Sequence, residues 1–161
     1  MPAASFPILL EKPIVKRRHL FLSCVLAVAF AVIAAAQSKP QTYKGLEVSV
    51  SGVERTVNLS LADCPPGDNS VRGVIRPGDT NEFAAVKVDF KVTPAFKSGT
   101  ALGKPVLHDE AGKAYNTAQS FAEIGASASF SCTFAFRVPK GTKLKRFAID
   151  TLSIDLGTMG Q

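Results

Sequence analysis

Two stretches of strict alternation set the frame. Between Glu82 and Val92, Val86, Val88, Phe90 and Val92 fall on one side, while Lys87, Asp89 and Lys91 fall on the other. Between Phe130 and Val138, a second apolar stripe of Phe130, Cys132, Phe134, Phe136 and Val138 is opposed by Ser131, Thr133 and Arg137. Successive side chains of a pleated chain point to opposite faces, so a period of two predicts half-buried β-strands. Shorter runs repeat the pattern. Leu46, Val48 and Val50 alternate with Glu47 and Ser49, and Val57, Leu59 and Leu61 alternate with Asn58 and Ser60. In the last run Phe147 and Ile149 are out of phase with Leu152, Ile154 and Leu156. A one-residue slip at Asp150-Thr151 brings all five to one face, which predicts a β-bulge there.

The segments between these runs cannot continue a ladder. Pro65-Pro66-Gly67-Asp68-Asn69, Pro77-Gly78-Asp79, Lys97-Ser98-Gly99 and Pro139-Lys140-Gly141 lack donors or favour turn dihedrals. Asp109-Glu110-Ala111-Gly112-Lys113 separates Val106-Leu107 from Ala114-Tyr115, which predicts a hairpin with Gly at a left-handed position. The best helix candidate is Thr117 to Ile124, where Ala118, Phe121 and Ala122 share a helical face, but it is short and ends at Gly125, so a loop turn fits equally. Several short one-faced strands over about 110 residues predict an all-β, two-sheet antiparallel sandwich.

Three blocks also carry a resemblance: Phe83-Ala84-Ala85-Val86-Lys87-Val88-Asp89-Phe90, then Val106-Leu107-His108-Asp109-Glu110-Ala111-Gly112-Lys113-Ala114-Tyr115, and finally Phe134-Ala135-Phe136-Arg137-Val138-Pro139. This order resembles the immunoglobulin-like domain of unknown function found in bacterial secreted proteins and lipoproteins. That family is sometimes labelled, misleadingly, after a telomeric repeat-binding factor. Its long strand is followed by an Asp-x-x-Gly-x-x-Tyr hairpin and a Phe-x-Val-Pro strand end. The resemblance spans Tyr43 to Leu156. It departs at Val92-Thr93-Pro94, where family members usually place Asn. It implies an immunoglobulin-like fold and an extracytoplasmic setting, and supplies no catalytic residues.

The N-terminal segment points to the same setting. Lys16-Arg17-Arg18-His19 precedes an uncharged run from Leu20 to Ala36 that closes on Ala34-Ala35-Ala36. A basic start, a short apolar stretch and a small-x-small exit form a secretory signal, with cleavage expected between Ala36 and Gln37. The rival reading retains residues 20–36 as a membrane anchor, although the run is at the lower length limit and rich in Ala. A third reading, lipid attachment at Cys24, fits poorly, because Cys24 lies near the start of the run. Arg17-Arg18 also fits a loose twin-arginine signal. The expected organisation is a signal over 1–36, a short tether over 37–42, a sandwich over 43–157 and a flexible tail over 158–161. Residues 1–36 carry Lys12, Lys16, Arg17 and Arg18 against Glu11, so the whole-chain charge of +6 halves to +3 beyond them. That residual charge is scattered among acidic groups, which removes the case for a nucleic-acid partner.

Beyond the signal two cysteines remain, Cys64 and Cys132. An even pair in an oxidising compartment predicts one disulfide, although two small buried residues that never meet would read the same way. Chemistry is sparse. His108 is the one histidine after the signal, which excludes a site built on two imidazoles, and beside Asp109 and Glu110 it reads as a solvated surface residue. Gly125-Ala126-Ser127-Ala128-Ser129 lacks the last Gly of a nucleophile elbow, and no phosphate loop opens a helix. No catalytic residue, metal site or cofactor is expected. Asn58-Leu59-Ser60 matches a glycosylation acceptor but is expected in a strand. Lys140, Lys143, Lys145 and Arg146 read as charges protecting an edge strand. The expected function is a secreted or periplasmic, non-catalytic module with an unidentified protein partner, touching the membrane only through an uncleaved signal. The alternatives are a membrane-tethered accessory subunit and an enzyme or metal carrier without a recognisable motif. The stretch from Cys64 to Asn81, the longest without a predicted strand, reads equally as a recognition loop or as a passive linker between the sheets.

Overall fold

The computed structural model describes residues 37–67 and 73–161. Ala34, Ala36 and the rest of the expected signal lie outside the described residues, as does Cys24. The strands are β1 (Gln41–Tyr43), β2 (Leu46–Thr56), β3 (Leu59–Leu61), β4 (Gly73–Ile75), β5 (Asn81–Val92), β6 (Pro105–Asp109), β7 (Ala114–Asn116), β8 (Ser129–Pro139), β9 (Leu144–Ile149) and β10 (Leu152–Asp155). One sheet runs β1-β2-β5-β8, a second runs β10-β9-β6-β7, and β3 and β4 form a separate ribbon. All strand pairs are antiparallel. The all-β antiparallel sandwich predicted by the alternation is therefore present.

The two long stripes build its centre. Val86 lies opposite Phe134, Val88 opposite Cys132 and Phe90 opposite Phe130. Phe90 stacks on Phe130 with centroids 4.8 Å apart and meets Phe121 edge-on at 5.6 Å. Phe134 and Phe136 carry the aromatic contact across to Phe147 of the second sheet. Such ring pairs add about 0.5–1.5 kcal/mol each beyond their buried area. From the second sheet Leu107, Phe147, Ile149 and Ile154 complete the buried layer.

Several expectations are corrected by the chain path. Val57, Leu59 and Leu61 do not form a core stripe. A bulge at Val50/Gly52 lets β2 follow β5 as far as Thr56, and the chain then leaves the sheet. Val57 is left 54% exposed, while Leu59 and Leu61 are half-buried in the β3–β4 ribbon. Leu61 and Ile75 of that ribbon line a cavity of about 270 Å³ with Phe83 and Ala135. This accounts for Phe83 and Ala135 being buried on the outward face of the first sheet.

The end of the chain turns differently from the predicted bulge. Ile149 pairs with Leu152 and Phe147 with Ile154, so Asp150-Thr151 is a two-residue hairpin turn. All five apolar residues do reach the core, because reversing the strand preserves their common face. The turn uses a positive φ of 49° at Asp150, a conformation that Asp tolerates better than most residues. Residues expected as a flexible tail form a 3-10 turn, Gly157–Gly160, with Gly160 buried against Leu144. At the other end, β1 begins at Gln41, and Ser38 already exchanges hydrogen bonds with Val50, which shortens the expected tether.

Between Thr117 and Ile124 no helix forms. Thr117 bridges to Phe136, and Phe121 bridges to Cys64. The chain thus lies as a strap along the free edge of β8. Gln119 takes the place of a neighbouring strand: its Oε1 accepts from Ala135 N at 2.8 Å, and its Nε2 donates to Thr133 O at 2.9 Å and Ala62 O at 2.7 Å. β8 therefore offers no unprotected ladder where the strap lies.

Candidate functional site

The cysteines are paired. Cys64 and Cys132 are disulfide-bonded with Cα atoms 5.5 Å apart, both buried among the core residues. Cys132 follows the inward alternation of β8, and Cys64 sits on the segment that Phe121 and Ala122 hold to the strap. The bond therefore fastens the base of the candidate recognition loop to the first sheet. That loop is not one strandless stretch. Gly73–Ile75 is strand β4, and Pro77 is buried. The ribbon instead holds Val74 out, 67% exposed, across from Ser60. Val57, Arg76, Pro77 and Lys140 border an open groove of about 370 Å³.

The Asp-x-x-Gly-x-x-Tyr block is a self-contained hairpin. Gly112 adopts φ +83°, and its N–H donates to Asp109 O. Asp109 Oδ1 accepts from Lys113 N at 2.8 Å, and Oδ2 accepts from the Tyr115 hydroxyl at 2.9 Å. Burial raises the Asp109 carboxyl, but these donors outweigh it and the value lies below the ordinary 3.8. Burial, helped by that carboxylate, pushes the Tyr115 phenol up. Asp109 is thus committed to holding the turn.

The opposite end of the sandwich carries a second Tyr–Asp pair that no local motif announced. Tyr43 Oη donates to Asp150 Oδ2 at 2.5 Å and accepts from Gly103 N at 3.2 Å. Lys44 Nζ reaches the same Asp150 oxygen at 2.9 Å and Ala101 O at 2.8 Å. The Tyr43 and Lys44 donors hold the Asp150 carboxyl low, whereas burial first and Asp150 second push Tyr43 up. Gly103 permits this approach, since a Cβ there would collide with the Asp150 carboxylate. Here φ is not the reason; space is.

Around His108 the structure departs from the sequence reading. β9, which carries Lys145 and Arg146, lies between β10 and β6, so these charges do not guard an edge. His108 is half-buried rather than solvated, and its Nδ1 is buried without a hydrogen-bond partner. Arg146 is its cross-strand partner on the outer face of the second sheet. His108, Glu110, Lys145, Arg146, Ser153 and Asp155 line a surface pocket of about 480 Å³. Lys145 is paired with Asp155 at 3.4 Å.

A further depression, about 320 Å³, opens at the far end among Phe96, Leu102, Phe121 and Ile124. Among the described residues no group of three or more His, Cys, Asp or Glu could hold a metal ion. Nor, among them, is any helix long and apolar enough to cross a membrane. No protein-family model matches the chain, and comparison with curated proteins finds no match. Among solved structures, the chain is similar to an uncharacterized beta-sandwich protein from Clostridium difficile 630. That likeness has 11% identity and a TM-score of 0.47, and covers 74% of this chain and 90% of the other.

Proposed function

We propose that the chain is an exported, non-catalytic, immunoglobulin-like module that acts through protein–protein contacts in the cell envelope or outside the cell. One observation carries the contact role: two apolar side chains stand in solvent, Val74 on the β3–β4 ribbon, 67% exposed, and Val57 on the segment leading into it, 54% exposed. Apolar side chains on a fastened ribbon offer contact area without a large ordering cost on binding. Arg76 and Lys140, which border the groove with Val57, supply charge for orienting a partner. The open groove is too shallow to enclose a small molecule, whose sites usually bury most of the ligand. Export is supported by the Cys64–Cys132 disulfide, since such bonds persist mainly in oxidising compartments.

The test is site-specific photo-crosslinking in the native host. A crosslinker at Val74 should give a discrete adduct with another protein, while one at Lys87, exposed on the first sheet, should not. Loss of the Val74 adduct in a Val57→Ser background would tie capture to the ribbon. Equal adducts from both positions, or none from Val74, would overturn the reading.

A further inference from the structure

We infer that the pocket formed by His108, Lys145 and Arg146 is a carboxylate subsite, which takes an acidic side chain of a protein partner. The inference rests on the contact role proposed above and adds a second contact point, on a different face. Its basis is a bulge. The β6–β9 register shifts between His108 and Asp109, where His108 faces Arg146 but Asp109 faces Leu144. Lys145 is the extra residue, so Lys145 and Arg146 are both exposed on the outer face instead of alternating. An isolated structural bulge needs no second cation there; this one delivers two beside a histidine.

The carboxylates nearby leave Arg146 unsatisfied. Asp155 lies directly across from Arg146 on β10, yet its Oδ2 takes Lys145 and its Oδ1 accepts from Gly157 N at 2.8 Å. Those two donors hold the Asp155 carboxyl low, so it stays charged and occupied. Asp109 is turned to Lys113 N and Tyr115. Glu110 sits exposed at the rim, its backbone N–H donating to Lys143 O. Among the described residues, Arg146 forms no ion pair. Its five N–H donors match a carboxylate bidentately.

His108 completes the set. A buried imidazole nitrogen without a partner is costly, and a half-turn of the ring exchanges Nδ1 with Cδ2 and aims that nitrogen elsewhere. With Ser153 on the neighbouring strand, the pocket holds a guanidinium, an ammonium, an imidazole and a hydroxyl beside the carboxylates of Asp109, Glu110 and Asp155. Asp109 and Asp155 are already engaged by other donors and Glu110 stands at the rim, so the group left without a carboxylate partner is Arg146. An open depression on a sheet face suits a side chain presented by another protein.

The test titrates the isotope-labelled exported protein with acetyl-Glu-Glu-Glu-amide and, separately, with inorganic phosphate. The expected result is saturable shifts at the Arg146 guanidinium and the His108 and Ser153 amides, with millimolar affinity. Arg146→Gln should bind the peptide roughly tenfold or more weakly while melting normally. Lys91→Gln, on the other sheet, should bind like the parent. No saturable shift, or an unchanged affinity in Arg146→Gln, would overturn the subsite. Saturation by phosphate but not by the peptide would overturn the acidic-side-chain assignment in favour of a phosphoryl ligand. Failure here with Val74 adducts intact removes the subsite alone. Loss of those adducts with peptide binding intact removes the ribbon instead.

Discussion

The sandwich contains two Tyr–Asp hydrogen bonds, one near each end, and they differ in reach. Tyr115 and Asp109 are six residues apart in one hairpin, whereas Tyr43 and Asp150 are 107 apart and join turns of different sheets. The short-range pair shapes a turn that its own sequence already favours. The long-range pair gathers the β1–β2 turn, the β9–β10 turn and the crossover near Gly103 around one carboxylate. Similar chemistry thus serves local geometry in one place and sheet-to-sheet fastening in the other. Long-range fastenings should then dominate stability, and the disulfide and Gln119 belong with them.

The largest expected effect comes from the longest covalent loop. Replacing both Cys64 and Cys132 by Ala should cost about 2–5 kcal/mol in denaturant unfolding. A loss under 1 kcal/mol would mean that the strap alone secures β8. Gln119→Leu comes next, at about 2–3 kcal/mol, because Ala135 N loses its partner in a buried place and Thr133 O and Ala62 O lose theirs in part-buried ones. The same variant should self-associate in sedimentation, since it bares part of the β8 edge.

The two tyrosines sharpen the comparison directly. Tyr43→Phe should cost about 1–2 kcal/mol and raise hydrogen exchange in both sheets, because Asp150 and Gly103 N both lose a partner. Tyr115→Phe should cost about 0.5–1 kcal/mol, with faster exchange confined to the hairpin. Equal costs and equal spread would erase the distinction between the pairs.

The smallest effect is in pH. Asp109 and Asp150 both sit below their ordinary 3.8 in the fold, so their contribution is present above that value. It is lost as pH falls through the lower folded values, and unfolding should ease in acid. Tyr43 and Tyr115 sit above their ordinary 10.0, so their contribution is present below that value and lost as pH rises through the higher folded ones. Asp150→Asn should flatten part of the acid limb of the stability curve; an unchanged limb would remove Asp150 from it.

The same contrast explains what the sequence disclosed. The β5 and β8 stripes and the Asp109–Lys113 hairpin were legible because neighbours along the chain decide them. The Asp150-Thr151 turn reads as a bulge in the sequence because both account for the change of phase, and the groups around Asp150, namely Tyr43, Lys44 and Gly103, come from other elements. Gln119 gave no signal, since a single amide in an Ala- and Ser-rich segment looks like any loop residue. Lys145 and Arg146 read as edge charges in the sequence because a charged run does not reveal which strands flank it. Of the candidate sites, Cys132 was legible from alternation, but the His108–Arg146 juxtaposition needed the β6–β9 register.

The proposed role depends first on export into an oxidising compartment. Intact-mass measurement of the unreduced protein isolated from its host, with a thiol count after denaturation, tests this most directly. The account predicts a chain beginning at Gln37, lighter by two hydrogens than its reduced form and without free thiol. A chain retaining residues 1–36, or one with Cys64 and Cys132 both free, would contradict it.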